Sequence, residues 1–235
     1  VTTSISDHPE LCLDPDYDHL DYRSSRLRSP RQALLLLDSG AFALGEPLLR
    51  GPVLDPRDSD LTVAGKGEPI GERIRVSGRI SGSDGRPIAG ALVEIWQANS
   101  AGRYRHRADG HRAPLDPNFF GAGRCLTGSQ GEFSFVTIKP GAYPWGNHPN
   151  AWRPAHIHFS VIGRSFVERL VTQMYFPGDP LLAFDPIFNA IRDAKGRSRL
   201  VADFDWETTE EGVHLGYRFD IVIGGHMATP MDNPR

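Results

Sequence analysis

The residues of this chain best placed to do chemistry begin with His156-Ile157-His158, because residues at i and i+2 of a strand project from one face. Imidazole nitrogens so placed can share one ion. Zinc, copper and iron all suit them, so the pair alone does not choose a metal. Two interior histidines hydrogen-bonded within a sheet would give the same spacing. Arg153-Pro154-Ala155 precedes the pair and makes 153–159 the densest polar and aromatic stretch of the chain. Two tyrosines lie upstream, in Gly102-Arg103-Tyr104-Arg105-His106 and Gly141-Ala142-Tyr143-Pro144-Trp145. Each phenol by itself reads as an amphipathic packing residue with its hydroxyl satisfied. Both nonetheless stand in loops at strand ends, where functional side chains are commonly mounted. Pro144 also biases Tyr143 away from helical backbone, which could aim its ring.

Groups like these must be carried by regular elements, and the dominant pattern has period two. Ile74, Val76 and Ile80 share one face of Arg73–Ile80, with Arg75, Ser77 and Arg79 on the other. Asp84-Gly85-Arg86-Pro87 marks a turn. Further strand-like runs are Ala91–Ala98, Glu132–Ile138, Ala155–Ile162 and Phe166–Phe176. In the last run, Tyr217, Phe219, Ile221 and Ile223 alternate with Arg218, Asp220 and Val222. Six such runs without βα alternation predict an all-β chain folded as a β-sandwich. Asp185–Arg192 reads as a short helix in a loop. Residues 1–65 carry little apolar periodicity. Their one helical stretch, Pro30–Leu37, is opened by proline at its first position. The expected organisation is a loop-rich N-terminal arm over 1–65, lying across a neighbour or a partner chain, and a β-sandwich domain over 66–235.

Composition narrows the function. A net charge of -3 gives no electrostatic footprint for nucleic acid or an anionic membrane. The 25 glycines and 19 prolines are nearly a fifth of the chain against an average near 12%, which fits many turns and short strands. Cys12 and Cys125 make no disulfide framework, the first ten residues are polar, and the longest apolar run, Ala33–Leu37, is far short of a membrane span. A cytoplasmic chain with neither nucleic-acid nor membrane partners is the expectation.

Taken in order, these motifs resemble the intradiol ring-cleaving dioxygenases. Gly102–His106, Lys139–Trp145 and Arg153–Phe159 carry the resemblance, together with Asp21–Ser25, Leu92–Asn99, Ala113–Phe119, Gly123–Thr127 and Tyr217–Val222. It implies a non-haem Fe(III) site with Tyr104, Tyr143, His156 and His158 as ligands. Two phenolates and two neutral imidazoles offset two of the three charges of ferric iron and favour it over ferrous. The resemblance also makes Tyr143 the ligand that a chelating catechol displaces. Arg153 would then be a fixed positive charge beside the reacting ring, and Gln173 a group near the iron that orients water or oxygen. Trp145 and Ile187 would line the substrate pocket, and Tyr22 would meet a substrate carboxylate. Within the family, the match is to the iron-bearing β chains of the two-chain members. That implies protocatechuate as substrate, an α chain as partner and the arm as a cover over the site. No metal role is expected for His106, His111, His148 or His214, which read as surface or loop residues.

Two rivals differ in testable ways. Family members acting on catechol or hydroxyquinol carry a longer helical N-terminal domain, whereas about 65 residues with one short helical stretch precede the sandwich here. Ser77–Val93 also resembles non-catalytic transthyretin-like binding modules, which have no need of the two tyrosines and two histidines together. Ala142 departs from a frequent proline of the family, and Phe184-Asp185-Pro186 is a local variation beside Ile187.

Overall fold

The computed structural model describes residues 19–23, 54–163 and 168–231; Cys12 and the helix expected over Pro30–Leu37 lie outside them. Strands β1 (Arg73–Gly82), β2 (Leu92–Gln97), β3 (Ala122–Leu126) and β4 (Glu132–Ile138) come first. A short pair follows, β5 (Tyr143–Pro144) and β6 (Trp152–Arg153), then β7 (His156–Ile162) and β8 (Arg169–Tyr175). After helices α1 (Pro186–Asn189) and α2 (Ala194–Ser198) come β9 (Asp203–Glu210), β10 (His214–Arg218) and β11 (Ile221–Ile223). One sheet runs β11-β1-β10-β9 with β4 also on β1, and the second runs β3-β2-β7-β8.

The two sheets close on an apolar core, as the alternation predicts. Ile74, Val76, Ile80, Phe133 and Phe135 of one sheet meet Val93, Ile95, Ile157, Phe159, Val161 and Met174 of the other. Phe159, wholly buried, touches Phe133, Phe135 and Phe219 at ring-centroid distances of 5.2 to 6.0 Å. Removing one such side chain from water stabilises the fold by about 1.5–3 kcal/mol. Because Ile157, Phe159 and Val161 fill the core, His156, His158 and Ser160 must face outward from the second sheet. Leu61, from the segment before β1, also enters the core.

Three details differ from the sequence reading. The run Tyr217–Ile223 is two strands, both parallel to β1, with Ile74–Ser77 paired to Leu215–Arg218 and Ile80–Gly82 to Ile221–Ile223. The break comes at Asp220, whose Oδ1 accepts the Arg79 N–H at 2.9 Å in place of a ladder carbonyl. Strands β3 and β9 were not among the strand-like runs; β3 carries no apolar alternation and β9 only the pair Phe204 and Trp206, and each is an edge strand with many exposed positions. His214, expected on the surface or in a loop, is buried at the start of β10, where Arg75 Nε donates to its Nε2 at 3.0 Å. Cys125 is buried on β3, and burial pushes its thiol pKa up to about 12.

Gly78 stands where β1 passes the break between β10 and β11, and a Cβ there would lie 1.9 Å from the Phe219 carbonyl oxygen. Gly78→Ala should therefore lower the unfolding free energy by about 1–3 kcal/mol through overpacking. Gly110→Ala, whose Cβ would meet open space, should change it by less than about 0.5 kcal/mol. Urea unfolding of the two variants checks the contrast.

Candidate metal centre

The outward face of β7 presents both histidines at one end of the second sheet, with ring centroids 4.8 Å apart. His156 Nδ1 lies 2.7 Å from the Pro154 carbonyl oxygen. A carbonyl can only accept, so Nδ1 carries the proton and Nε2 keeps its lone pair. That Nε2 is 3.2 Å from Tyr143 Oη, and His158 Nε2 is 3.1 Å from Tyr104 Oη. His158 is held flat by Trp96, its cross-strand partner on β2, with the rings stacked at 4.8 Å and 2°.

Tyr104 arrives on a loop and Tyr143 on the short strand β5, and the chain just before β5 is pressed backbone to backbone against that loop. Gly102 has φ +77°, and a Cβ there would meet the Ala142 oxygen at 2.0 Å. Only glycine allows both the turn and the approach. Asn99 shapes the first loop, its Oδ1 accepting from Ala101 N and Arg103 N at 3.0 and 2.9 Å. Its carbonyl accepts from Gly141 N, tying the second loop on. Asp109 Oδ2 accepts the Tyr104 N–H at 2.7 Å. Across the β5–β6 pair Tyr143 lies in register with Arg153, which sets the arginine beside the phenol. The rings of Tyr104 and Tyr143 meet edge to face at 5.3 Å.

Arg153 is buried in a network of its own. Its Nε and Nη2 donate to Asp185 Oδ2 at 3.2 and 2.9 Å, and Nη2 also donates to Gln173 Oε1 at 2.6 Å and Tyr175 Oη at 3.0 Å. Tyr175 Oη in turn donates to Gln173 Oε1 at 2.8 Å. Two donors meeting one oxygen fix the Gln173 amide and leave its N–H group as what it can offer elsewhere. Gln173 and Tyr175 pair with His158 and His156 across β7–β8. Asp185 is fully buried, and its Oδ1 accepts the Ile187 N–H at 3.1 Å, so one carboxylate orients Arg153 and starts α1. The Arg153 guanidinium lies 5.4 Å from the Trp145 ring, and Tyr22 packs on the same ring at 5.4 Å.

Burial pushes His156 well below the ordinary imidazole range, with the positive charge of Arg153 adding to the shift. Burial, then Arg153, brings His158 down to about 3. Both rings are therefore neutral at neutral pH. Burial holds the Tyr143 phenol above its usual range, and the Arg153 charge opposes that shift. The donor set suits a metal ion. Two donors each about 2 Å from one ion, at angles near a right angle or a tetrahedron's, stand about 3 Å apart. The two histidine–tyrosine separations have that length. A bound cation also makes phenolates of tyrosines whose free pKa is near 10.

Sequence reasoning missed the residues that hold this set. Asp185 offered a signal of another kind, an acidic residue before Pro186 at the start of a short helix, which marks a cap rather than an arginine's partner. Tyr175, two residues after Gln173, follows from strand alternation alone. Asp109 carried no signal, and Asn99 closed the Leu92–Asn99 motif with no role attached to it.

Comparison with known proteins followed the same direction. The family model described as Dioxygenase matches residues 50–225, and the one described as protocatechuate 3,4-dioxygenase beta subunit N terminal matches 15–39. The chain is 57% identical over 220 residues, 93% of either chain, to the protocatechuate 3,4-dioxygenase beta chain of Burkholderia cepacia. It is 36% identical over 178 residues to 6-chlorohydroxyquinol 1,2-dioxygenase of Cupriavidus pinatubonensis, covering 70% of this chain and 57% of that relative. It is 30% identical over 158 residues to the Burkholderia cepacia protocatechuate 3,4-dioxygenase alpha chain, covering 66% and 74%. Among solved structures, 3-chlorocatechol 1,2-dioxygenase of Rhodococcus opacus 1CP matches with a TM-score of 0.56 at 25% identity, covering 74% of this chain and 70% of that one.

Asp185→Asn should lower stability by about 3–5 kcal/mol, because it leaves a buried guanidinium without its counter-charge. The double replacement Arg153→Met with Asp185→Leu should cost much less than the sum of the single changes in urea unfolding. The histidines predict a pH dependence of known sign. Their folded pKa values lie below the unfolded value of about 6.5, so the unfolded chain binds more protons at acid pH. The metal-free protein should lose stability as pH falls from about 6.5 toward 3, at up to roughly 1.4 kcal/mol per pH unit for each histidine. His158→Gln should flatten that slope.

Proposed function

The chain belongs to the intradiol dioxygenase family, and from that membership we propose that it cleaves protocatechuate (3,4-dihydroxybenzoate) between its two hydroxyl-bearing carbons. The product is 3-carboxy-cis,cis-muconate. Both atoms of dioxygen enter it, and no external reductant is consumed. The observation that carries the reading is the convergence of two phenols and two neutral imidazole nitrogens on one point, with tyrosine–histidine contacts of 3.1 and 3.2 Å.

Tyr104, Tyr143, His156 and His158 would hold a non-haem ferric ion. When bound, it supplies the Lewis acidity that lets a catechol bind as a dianion and opens its ring to dioxygen. The chain's own residues do the rest. Tyr143 Oη, a phenolate when the ion is bound, would take one of the two protons that the diol gives up, and a hydroxide leaving as water would take the other, so the buried site would gain no net charge as the diol enters. Arg153 is a permanent cation that stabilises negative charge developing on the ring. Asp185 keeps it in place and balances it when no substrate is bound. Gln173, its oxygen already occupied, offers its amide hydrogens to water or dioxygen. Trp145 and Ile187 form apolar walls that exclude water from the ring.

Tyr22, whose ring packs on Trp145 at 5.4 Å, would meet the ring's carboxylate and so favour protocatechuate over an unsubstituted diol. Residues 1–65 would cover this mouth at a boundary with an α chain that contributes further groups. Among the described residues no helix is long and apolar enough to cross a membrane, and the working place of the enzyme would be the cytoplasm. Catechol and hydroxyquinol are the alternative substrates.

The purified iron-loaded protein should be red-brown, with a broad visible charge-transfer band that shifts on anaerobic addition of protocatechuate. Tyr104→Phe should weaken that band. A colourless protein with full iron occupancy would remove the tyrosines from the ligand set. Faster turnover of catechol than of protocatechuate would reassign the substrate.

A further inference from the structure

Asn147 is an uncharged loop residue, yet it is 5% exposed and both ends of its amide are used. Its Nδ2 donates to the Asp21 carbonyl oxygen at 2.5 Å, and its Oδ1 accepts the Arg23 N–H at 2.9 Å. A backbone N–H can only donate and a carbonyl can only accept, so the amide has one orientation that satisfies both. The two peptide groups it holds flank Tyr22. These bonds join residues more than 120 positions apart in sequence, so nothing local explains them. Tyr22 itself closes a turn, its N–H donating to the His19 carbonyl at 3.0 Å.

The same loop supports the Tyr22 ring. Trp145, two residues before Asn147, packs on that ring at 5.4 Å and lies 5.4 Å from the Arg153 guanidinium. The loop is closed on itself, since Trp145 N donates to Ala151 O and Ala151 N to His148 O at 3.1 and 3.2 Å. Backbone and ring of Tyr22 are thus held by one short unit anchored at the β5–β6 pair beside the donor set. Leu20, Asp21 and Arg23 around Tyr22 are exposed.

We infer that Asn147 is a positioning residue for substrate selection: its amide holds Tyr22 over the mouth of the site and so sets the preference for a ring bearing a carboxylate over an unsubstituted diol. The inference rests on the reading that Tyr22 meets the carboxylate of protocatechuate. Losing two ordinary hydrogen bonds loosens the hold on the peptide groups that flank Tyr22, and the effect should fall on the substrate that uses the phenol.

The test is a double-mutant cycle in the iron-loaded complex with its α chain, using Asn147→Ala, Tyr22→Phe and the pair, with kcat and KM measured on protocatechuate and on catechol. Asn147→Ala should lower the ratio of kcat/KM for protocatechuate to that for catechol about tenfold, mainly through KM for protocatechuate. Tyr22→Phe should lower the same ratio, and adding Asn147→Ala to it should lower the ratio little further. Asn147→Ser, with a smaller cavity and one possible hydrogen bond, should fall between and stands in if the alanine variant does not assemble. A ratio unchanged by either Asn147 replacement while Tyr22→Phe lowers it overturns the inference and leaves the substrate reading standing. So does an equal loss on both substrates, or full additivity, either of which makes Asn147 a loop brace only. A ratio unaffected by Tyr22→Phe overturns the role given to Tyr22, and the inference falls with it.

Discussion

A guanidinium buried among neutral donors is the constraint to which the rest of this site answers. Arg153 cannot shed its proton, so an unpaired burial would cost several kcal/mol. Asp185 meets that cost with one carboxylate oxygen, and Gln173 and Tyr175 accept from the same guanidinium. The positive charge then acts on everything nearby. It helps keep both imidazoles unprotonated and favours a phenolate at Tyr143. The second oxygen of Asp185 begins α1 and sets Ile187. A single ion pair thus joins the electrostatics of the donor set to the shape of the pocket wall.

The sandwich makes this arrangement stable by keeping it off the core. β7 is apolar on one side and chemical on the other, so the packing that holds Ile157, Phe159 and Val161 also aims His156 and His158. Neighbouring strands extend that outer face, with Trp96 on β2 and Gln173 and Tyr175 on β8 in register with the histidines. Tyr104 comes from a loop and Tyr143 from a strand of only two residues, which position side chains less rigidly than the long strands of the sheets. Here both are locked by a glycine-mediated backbone contact and by the caps of Asn99 and Asp109. A surface groove lined by Asp55, Asp60, Glu94 and Arg124 runs along β3 and reaches Trp96, whose ring stacks on His158.

Much of this was legible in the residues themselves. The alternation in Arg73–Ile80, Glu132–Ile138 and Ala155–Ile162 announced core strands and their inward faces, because a strand's side chains alternate whatever its partners are. The motifs around Tyr104, Tyr143 and His156 announced the family. Less legible were β3 and β9, edge strands that need no apolar face, and the break at Asp220, where a side chain displaces a ladder carbonyl. His214 looked like a loop histidine because its burial comes from Arg75, 139 residues away.

What the sequence determined by itself was therefore the set of chemical groups, the class of fold and the side of each core strand that must face inward. These follow from residue type and from a two-residue period, both local properties. What only the tertiary structure decided was which groups hold the donors in place: Asp185 for Arg153, Asp109 for Tyr104 and Asn147 for the segment around Tyr22. Two of these three join residues far apart in the chain. A hydrogen bond between distant residues leaves no period or spacing in sequence, and it exists only once the fold has brought its two ends within 3 Å or so of each other.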